Sequence, residues 1–479
     1  MKIHFLNKKI KILFVFTAFL LVLSSCSKKD DITPGTNPPT SALSSAKEIT
    51  NVGILRAENS NLTGDGYVYR AGTKFYITIP LGSNLSGVKI IFNLSPKASV
   101  KIDGLTLSNA TGIVDLTKTI TATVSAEDGS STAYTILAQL GIKDIDAMVY
   151  PFIEKYAIPA ASYAIGKNNI ENIVYKSACG FAKVETRERA TADHLFRLAS
   201  MTKQHTAIAI MSLIQQGKIG IDDLVFGAGG LLKASFPSVG QMSAKVTLRH
   251  LLEHTAGYTG DPMFTSTYTG YSLDQRIQVM LNSAQSEPGT KYSYYNMGYG
   301  TLGKVIEVVS GKDYETYLKQ LYAPLGLTRL RLASATTANI PVDEAVCYPQ
   351  GNSTAYGNDM NVMKAAAGVA VNTEDLFKIL YAVDGGPIRQ DILNATTRSL
   401  MLTPSATFSG YAKGWRTNHT LFSGFYHGGN LAGTGTFWIY GTEYSVAVLL
   451  NSRSNDDAFD TDLIVLTNNI MKKAKELGL

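Results

Sequence analysis

Cysteine is scarce in this chain of 479 residues, which contains three, at positions 26, 179 and 347. Neither Cys179 nor Cys347 has a histidine in a catalytic sequence context, which argues against a cysteine nucleophile. Both lie in apolar stretches, where free buried thiols are common, although an oxidising compartment also permits a bridge between them. The sequence leaves these two states open.

Basic tracts are absent from the chain after its first residues. The formal net charge is +6, but residues 1–25 hold four lysines and no acidic residue, which leaves about +2 for the rest. This balance gives no electrostatic footprint for nucleic acid, so we expect no nucleic-acid partner. A Gly-x-Ser-x-Gly motif is also missing, which argues against an α/β-hydrolase.

The first 25 residues have the composition of a signal peptide. Four lysines precede the uncharged run 12–23, which is too short to span a bilayer stably. The run ends in Leu-Ser-Ser-Cys26, which resembles the lipobox of a bacterial lipoprotein, although an ordinary secretory signal with an incidental cysteine is the alternative. The resemblance implies lipidation of Cys26, and Ser27 implies the outer membrane. We therefore expect an envelope protein, anchored by lipid and facing the periplasm or the cell surface.

Three segments follow the signal peptide. Residues 26–45 are rich in Ser, Thr, Pro and Gly, which predicts a flexible tether. Residues 46–140 contain short β-branched and aromatic runs separated by turn residues, which predicts a small all-β sandwich. This segment resembles the Ig-like modules of bacterial surface lipoproteins, as a spacer or a glycan-contact module. Residues 141–479 form the third segment.

Hydrophobic periodicity in the third segment predicts both helices and strands. Strand-like runs lie near its two ends, and helical patterns occupy most of the chain between them. The pattern predicts helices over 144–156, 205–216 and 460–477, and strands over 161–165, 173–178, 436–440 and 444–450.

Ser200-Met201-Thr202-Lys203 lies at the start of the helix predicted over 205–216. A serine there meets unpaired backbone N–H groups and the positive end of the helix dipole. Lys203 follows one turn later on the same face, where its amine can take the proton of Ser200. Taken alone, the two residues also fit an N-cap serine and a solvated lysine.

Two further motifs follow in the chain. Tyr294-Tyr295-Asn296 comes after a Pro-Gly-Thr turn, and His427-Gly428-Gly429 comes just before the predicted hairpin. These three motifs, in this order, resemble those of the serine β-lactamase and penicillin-binding-protein superfamily, in the branch of class C β-lactamases, DD-peptidases and related esterases. The resemblance covers roughly residues 145–475. It implies an α+β fold in which helices flank an antiparallel sheet and form a helical subdomain, with the site in the cleft between them.

The resemblance also implies roles for individual residues. Ser200 is the nucleophile that forms an acyl-enzyme, Lys203 assists its deprotonation, and Tyr294 passes the proton to the leaving group. Asn296 contacts Lys203 and a substrate carbonyl. A core aromatic and a turn-capping asparagine are the structural alternatives for Tyr294 and Asn296. Gly428 and Gly429 admit the substrate backbone, and the N–H of Asn430 forms an oxyanion hole with that of Ser200.

The motifs depart from the family pattern at two positions. Tyr295 replaces a small residue and is expected to narrow the cleft or shift its hydrogen bonds. His427 replaces the usual lysine, and a histidine is mostly neutral at pH 7, so the cation that holds a substrate carboxylate is weakened. Arg416 is a candidate replacement, with a surface arginine as the alternative.

His250 and His254 also match the metal-binding pattern His-x-x-Glu-His. The run from 247 to 257 is better explained as a structural segment of the superfamily, so we expect neither metal nor organic cofactor. The predicted function is a serine hydrolase for small ester, D-amino-acid amide or peptidoglycan-type peptide substrates. A β-lactamase or DD-carboxypeptidase is the alternative, and a non-catalytic cell-wall-binding protein is the rival from another class.

Overall fold

The computed structural model describes residues 42–479. The predicted signal peptide, Cys26 and most of the predicted tether lie outside the described residues. Residues 44–479 form one compact unit. Within the described part of the chain, no helix combines the length and the apolar character that crossing a bilayer requires.

Two β-sheets form the region that precedes the three sequence motifs. One sheet has three strands in the order β1-β4-β7, and the other has six in the order β2-β3-β9-β8-β5-β6. Alternating apolar residues of both sheets, such as Ile77, Ile90 and Val124, meet in a shared core. The strands are β1 Ile49–Gly53, β2 Tyr67–Ala71, β3 Lys74–Pro80, β4 Val88–Leu94, β5 Ser99–Ile102, β6 Leu105–Thr106, β7 Thr111–Val114, β8 Ile120–Ser125 and β9 Ser131–Gly141.

A buried carboxylate joins this β region to the rest of the chain. Asp146, on helix α1 (Lys143–Lys155), is fully buried. It accepts hydrogen bonds from Thr78 at 2.9 Å and from Tyr163 and Tyr175 at 2.6 Å each. Thr78 belongs to β3, whereas the two tyrosines belong to the next sheet, so the β region packs directly against the following domain.

A six-stranded antiparallel sheet lies at the centre of the remaining chain. Its order is β12-β11-β10-β18-β17-β16, so strands from both ends of the segment pair at β10 and β18. Helices α1 and α10 cover one face, and α2 with the central helices covers the other. The strands of this sheet are β10 Ala160–Lys167, β11 Asn172–Lys183, β12 Glu188–Arg189, β16 Phe425–Leu431, β17 Thr434–Tyr440 and β18 Tyr444–Leu450. A separate sheet of three short strands, in the order β13-β15-β14, consists of β13 Phe196–Arg197, β14 Arg331–Leu332 and β15 Val369–Val371. This architecture confirms the predicted fold class.

Helices α2 to α9 follow β13 in the chain and precede β16. The short strand β14 comes between α6 and α7, and β15 comes between α7 and α8. The helices are α2 Thr202–Gln215, α3 Leu248–Leu252, α4 Leu273–Leu281, α5 Asn296–Ser310, α6 Tyr314–Tyr322, α7 Met360–Ala367, α8 Thr373–Leu380 and α9 Ala395–Leu402, and α10 Phe459–Leu477 follows the last strand. Cys179 and Cys347 are both buried and free, so the structure shows no bridge between them.

Three local elements were not predicted from the sequence. His427-Gly428-Gly429 precedes the hairpin of β17 and β18, as expected, but it lies on a further strand, β16, which pairs with β17. The sequences of segments 258–285 and 350–365 are loop-like and match no motif, but the two segments contain α4 and the start of α7. Helix α4 begins at a capping box formed by Ser272 and Gln275, a short signal that the apolar pattern alone did not reveal.

Candidate functional site

Ser200 lies in a single 3-10 turn, Ala199–Met201, that leads directly into helix α2. Ala199 has a φ of 49°, in the left-handed region that costs energy for a residue with a Cβ atom. Neighbouring contacts hold this conformation. The N–H of Leu198 donates to the Val369 carbonyl at 2.8 Å, and Thr436 donates to the Leu198 carbonyl at 2.8 Å.

Lys203 places its amine beside the serine. Its Nζ lies 3.1 Å from Ser200 Oγ, 2.9 Å from Asn296 Oδ1 and 3.0 Å from the Ala366 carbonyl. The side chain is fully buried, which rules out a solvated helix lysine. Burial lowers the pKa of Lys203 to about 7, with a further lowering by Arg416 and an opposing effect of Asp261. A large fraction of Lys203 is therefore neutral at physiological pH and able to accept a proton.

Tyr294 completes this group from the opposite side. Its hydroxyl is close enough to Ser200 for that serine to lower its pKa, and its ring lies 4.9 Å from Lys203 Nζ and 5.3 Å from the Arg416 guanidinium carbon. Burial raises the pKa of Tyr294, although Ser200 and Arg416 oppose the rise. Tyr294 is thus a neutral phenol at pH 7, suited to relay a proton rather than to act as a phenolate base.

Asp261 holds Asn296 in place, and the sequence reasoning missed it. Its carboxylate accepts from the N–H of Asn296 at 2.6 Å and from that of Met297 at 3.2 Å, at the start of α5. A carboxylate there satisfies free N–H groups and meets the positive end of the helix dipole. Asp261 lies 35 residues before Asn296, and no local pattern marks it.

His427 is fully buried on β16. Its Nδ1 lies 2.7 Å from the Gly428 carbonyl, and its Nε2 lies 3.4 Å from the Tyr411 hydroxyl. Burial, with the charges of Arg416 and Lys203, lowers the pKa of His427 well below its usual value. His427 is therefore neutral at pH 7, and Arg416 is the cation that lines the cleft beside it.

The two glycines after His427 have different surroundings. A Cβ atom on Gly429 would lie 2.1 Å from the Leu198 carbonyl oxygen and 2.2 Å from Thr436 Oγ1, so Gly429 permits packing within the protein itself. A Cβ atom on Gly428 would meet the edge of the Phe437 ring at 3.2 Å. Asn430 turns its side chain towards Asp460, 3.3 Å away.

A cavity of about 340 Å³ opens above Ser200. Tyr294 and Arg416 lie on one side of it, and helix α10 contributes its first turns. The remaining wall is β16 with its partner strand. The lining residues are Ser200, Tyr294, Arg416, His419, Tyr426, His427, Gly428, Gly429, Asn430, Thr436, Phe437, Asp460, Leu463 and Ile464. Tyr295 does not line this cavity. It is buried against Tyr258, with ring centroids 5.9 Å apart, and so does not narrow the cleft as expected.

The side chains of the His-x-x-Glu-His pattern at residues 250–254 form contacts within the protein. Glu253 forms a buried ion pair with Lys413 at 2.7 Å. His254 Nδ1 accepts from the N–H of Tyr295 at 3.1 Å, and the side chain of His250 belongs to the capping box of α3. Among residues 42–479, no three His, Cys, Asp or Glu residues come close enough to hold a metal ion. His254 instead supports the segment that carries Tyr294.

The antiparallel sheet, the buried lysine beside Ser200 and the tyrosine opposite it together define the class of β-lactamase-like serine hydrolases. Residues 145–469 match the family model described as Beta-lactamase. The chain belongs to this family, which confirms the superfamily that the three motifs indicated.

Two curated relatives are similar over much of the chain. Protein flp of Staphylococcus aureus (strain NCTC 8325 / PS 47) is 26% identical over 330 residues, which cover 65% of this chain and 63% of flp. A protein of Escherichia coli (strain K12) named "Putative D-alanyl-D-alanine carboxypeptidase" is 27% identical over 300 residues, covering 54% of this chain and 68% of that protein. The chain thus matches less than two thirds of flp.

Solved structures show the same fold. The crystal structure of D-amino acid amidase from Ochrobactrum anthropi SV3, complexed with L-phenylalanine, is 22% identical with a TM-score of 0.57. It covers 70% of this chain and 99% of the amidase chain.

Proposed function

We propose that the protein hydrolyses ester or amide bonds of small substrates through an acyl-enzyme on Ser200. The observation that carries this proposal is the buried Lys203 amine, 3.1 Å from Ser200 Oγ, with a pKa of about 7. A lysine in this state accepts a proton at neutral pH, whereas an ordinary lysine with a pKa near 10.4 does not.

This geometry supports the following course for the reaction. Ser200 Oγ bonds to the substrate carbonyl carbon as its proton passes to neutral Lys203, and the N–H groups of Ser200 and Asn430 hold the resulting oxyanion. The bond to the leaving amine or alcohol then breaks. Its nitrogen or oxygen takes a proton from Tyr294, which Lys203 reprotonates. In the second half of the reaction, water attacks the acyl carbon in place of Ser200, and Ser200 Oγ is the leaving group that takes up a proton. This step releases the acid and regenerates Ser200.

The charges of the cleft support a substrate class. His427 is neutral, so the lysine that usually binds a carboxylate in this family has no charged equivalent at that position. Arg416 lines the same cavity and its guanidinium lies over Tyr294. D-amino-acid amides and esters are the leading substrates, in keeping with the name of the amidase relative. Peptides that end in a carboxylate are the second candidate, because Arg416 can bind that group.

The test compares wild type with Ser200→Ala on an activated ester, a D-amino-acid amide, a D-alanyl-D-alanine peptide and a penicillin. Serine-dependent turnover of the amide or ester supports the leading proposal. Turnover of the peptide, or a penicillin adduct in the intact mass, moves the assignment to a carboxypeptidase or a slow β-lactamase. If wild type turns over none of these compounds, a non-catalytic wall-binding protein becomes the better explanation. If Ser200→Ala retains the activity, Ser200 is not the nucleophile.

We further propose that Cys26 carries lipid and anchors the protein in the bacterial envelope. This proposal rests on the sequence Leu-Ser-Ser-Cys26 after an uncharged run. Metabolic labelling with a fatty acid is expected to mark the wild-type protein and to leave Cys26→Ala unlabelled. Labelling of both proteins would contradict lipidation at this cysteine.

A further inference from the structure

Arg197 joins the segment before Ser200 to the hairpin of β16 and β17. It is only 2% exposed. Its guanidinium donates to Thr434 Oγ1 at 2.9 Å, to the Ala355 carbonyl at 2.8 Å and to the Ala432 carbonyl at 2.5 Å. A buried guanidinium is costly unless its N–H groups are bonded. Three acceptors in fixed directions match the planar fork of arginine, which lysine lacks.

The next residue makes a second connection to the same hairpin. The Leu198 carbonyl accepts from Thr436 at 2.8 Å, and Gly429 packs so closely that a Cβ atom would lie 2.1 Å from that carbonyl oxygen. Thr434 and Thr436 flank Gly435, the residue paired with Asn430 across the hairpin. Arg197 and Leu198 therefore fix both strands of the hairpin relative to the turn that carries Ser200.

We propose that Arg197 is a positioning residue that sets the spacing between the backbone N–H groups of Ser200 and Asn430. The inference rests on the proposed function, in which these two groups hold the oxyanion. Such donors act only at about 2.7–3.1 Å from the oxyanion, and a displacement of about 1 Å costs on the order of 100-fold in rate. Arg197 touches neither Lys203 nor the cavity, so its loss affects donor spacing without removing a reacting group.

The variants Arg197→Lys and Thr434→Val test this role. The lysine keeps the charge but cannot reach three acceptors, and the valine removes one acceptor at nearly constant volume. Arg189→Met is the matched control, because Arg189 also donates to backbone carbonyls, those of Leu116 and Thr117 at 3.0 and 2.9 Å. These contacts join the β region to β12, on the far edge of the central sheet from β16.

Steady-state kinetics of the full chain on an activated ester provide the readout. We expect Arg197→Lys to lower kcat by about 10- to 100-fold, with KM within about threefold of wild type and the pH midpoint of acylation still near 7. Thr434→Val is expected to lower kcat in the same direction by a smaller factor, and Arg189→Met to keep the wild-type value.

Two results would overturn the inference. One is a kcat for Arg197→Lys and Thr434→Val no lower than that of Arg189→Met. The other is a parallel change in KM and in the pH midpoint, which would indicate general disruption of the site. If Arg197→Lys fails to fold, Thr434→Val still tests the positioning role of Arg197, because it removes one of the three acceptors. Ser200→Ala distinguishes failure of this inference from failure of the proposed function. Full activity in that variant would contradict the proposed function itself.

Discussion

The Nζ atom of Lys203 lies 3.1 Å from Ser200 Oγ at a position that solvent does not reach. Burial supplies the low pKa of the amine, and two charged neighbours adjust it in opposite directions: Arg416 lowers it and Asp261 raises it. A lysine one helical turn from a serine is common. Its burial in contact with Asn296 and the Ala366 carbonyl is what gives the pair its chemistry.

The rate of acylation is expected to rise with pH around a midpoint near 7. Below this pH, Lys203 carries a proton and cannot accept that of Ser200. Stopped-flow measurement of an activated ester from pH 5.5 to 8.5 checks this, with circular dichroism to confirm that the fold persists at each pH. A rate that stays constant over this interval would rule out Lys203 as the base.

Asp261→Asn and Arg416→Gln are expected to move this midpoint in opposite directions. Loss of the Asp261 carboxylate lowers the pKa of Lys203, whereas loss of the Arg416 guanidinium raises it. The same pH series measures both shifts. Asp222→Asn removes a carboxylate that pairs with Arg249 on the surface and is expected to leave the midpoint in place. Shifts of the same sign in the first two variants would contradict this arrangement of charges.

Lys203→Met is expected to change how stability depends on pH. The unfolded chain holds the lysine proton up to about pH 10, whereas the native protein releases it near pH 7. Between these values, wild type gains stability as pH rises, by about 1 kcal/mol per pH unit from this group.

The free energy of unfolding of Lys203→Met, taken relative to that of wild type, is therefore expected to decrease from pH 7 to pH 9 in urea unfolding experiments. Ser200→Ala keeps the lysine and should follow the wild-type dependence. A difference between Lys203→Met and wild type that does not vary with pH would show that Lys203 has an ordinary pKa.

Arg416→Gln is expected to reduce kcat/KM for carboxylate-bearing peptides about tenfold more than for a neutral ester, because charged hydrogen bonds to a carboxylate are the stronger ones. Arg389→Gln is the control, since Arg389 also lies over a tyrosine ring, that of Tyr381 at 5.9 Å, but outside the cavity of Ser200. Equal losses on both kinds of substrate would assign Arg416 to the chemical step rather than to carboxylate binding.

Gly429→Ala and Gly428→Ala form a matched pair with different expected outcomes. The new methyl group at 429 meets the Leu198 carbonyl and Thr436 at little more than 2 Å, whereas that at 428 meets a ring edge at 3.2 Å. We expect Gly429→Ala to lower stability by about 1–3 kcal/mol and to impair acylation, and Gly428→Ala to be the milder change. Thermal unfolding and ester kinetics measure both effects, and equal tolerance at the two positions would contradict the packing at 429.

The three motifs predicted the family because each consists of a few adjacent residues and can be identified without knowledge of the fold. Most of α2, from residue 205 onward, the hairpin of β17 and β18 and helix α10 also followed from local periodicity. Strand β16 was missed because Gly428 and Gly429 interrupt its pattern, and only pairing with β17 defines it.

Asp261 and Arg197 could not be assigned from sequence for a different reason. Their partners lie 35 and more residues away, at Asn296, Ala355, Ala432 and Thr434. The residues next to Asp261 and Arg197 in the chain contain no pattern that predicts these hydrogen bonds. Only the tertiary fold brings the two buried charged groups to their partners.

Trapping the acyl-enzyme tests the central claim most directly. The protein is mixed with an activated ester, quenched in acid within milliseconds to seconds, and analysed by intact mass and peptide mapping. We predict one acyl group per chain, located on Ser200 in wild type and absent from Ser200→Ala. An adduct of equal amount on Ser200→Ala, or ester turnover by that variant at the wild-type rate, would show that Ser200 is not the nucleophile.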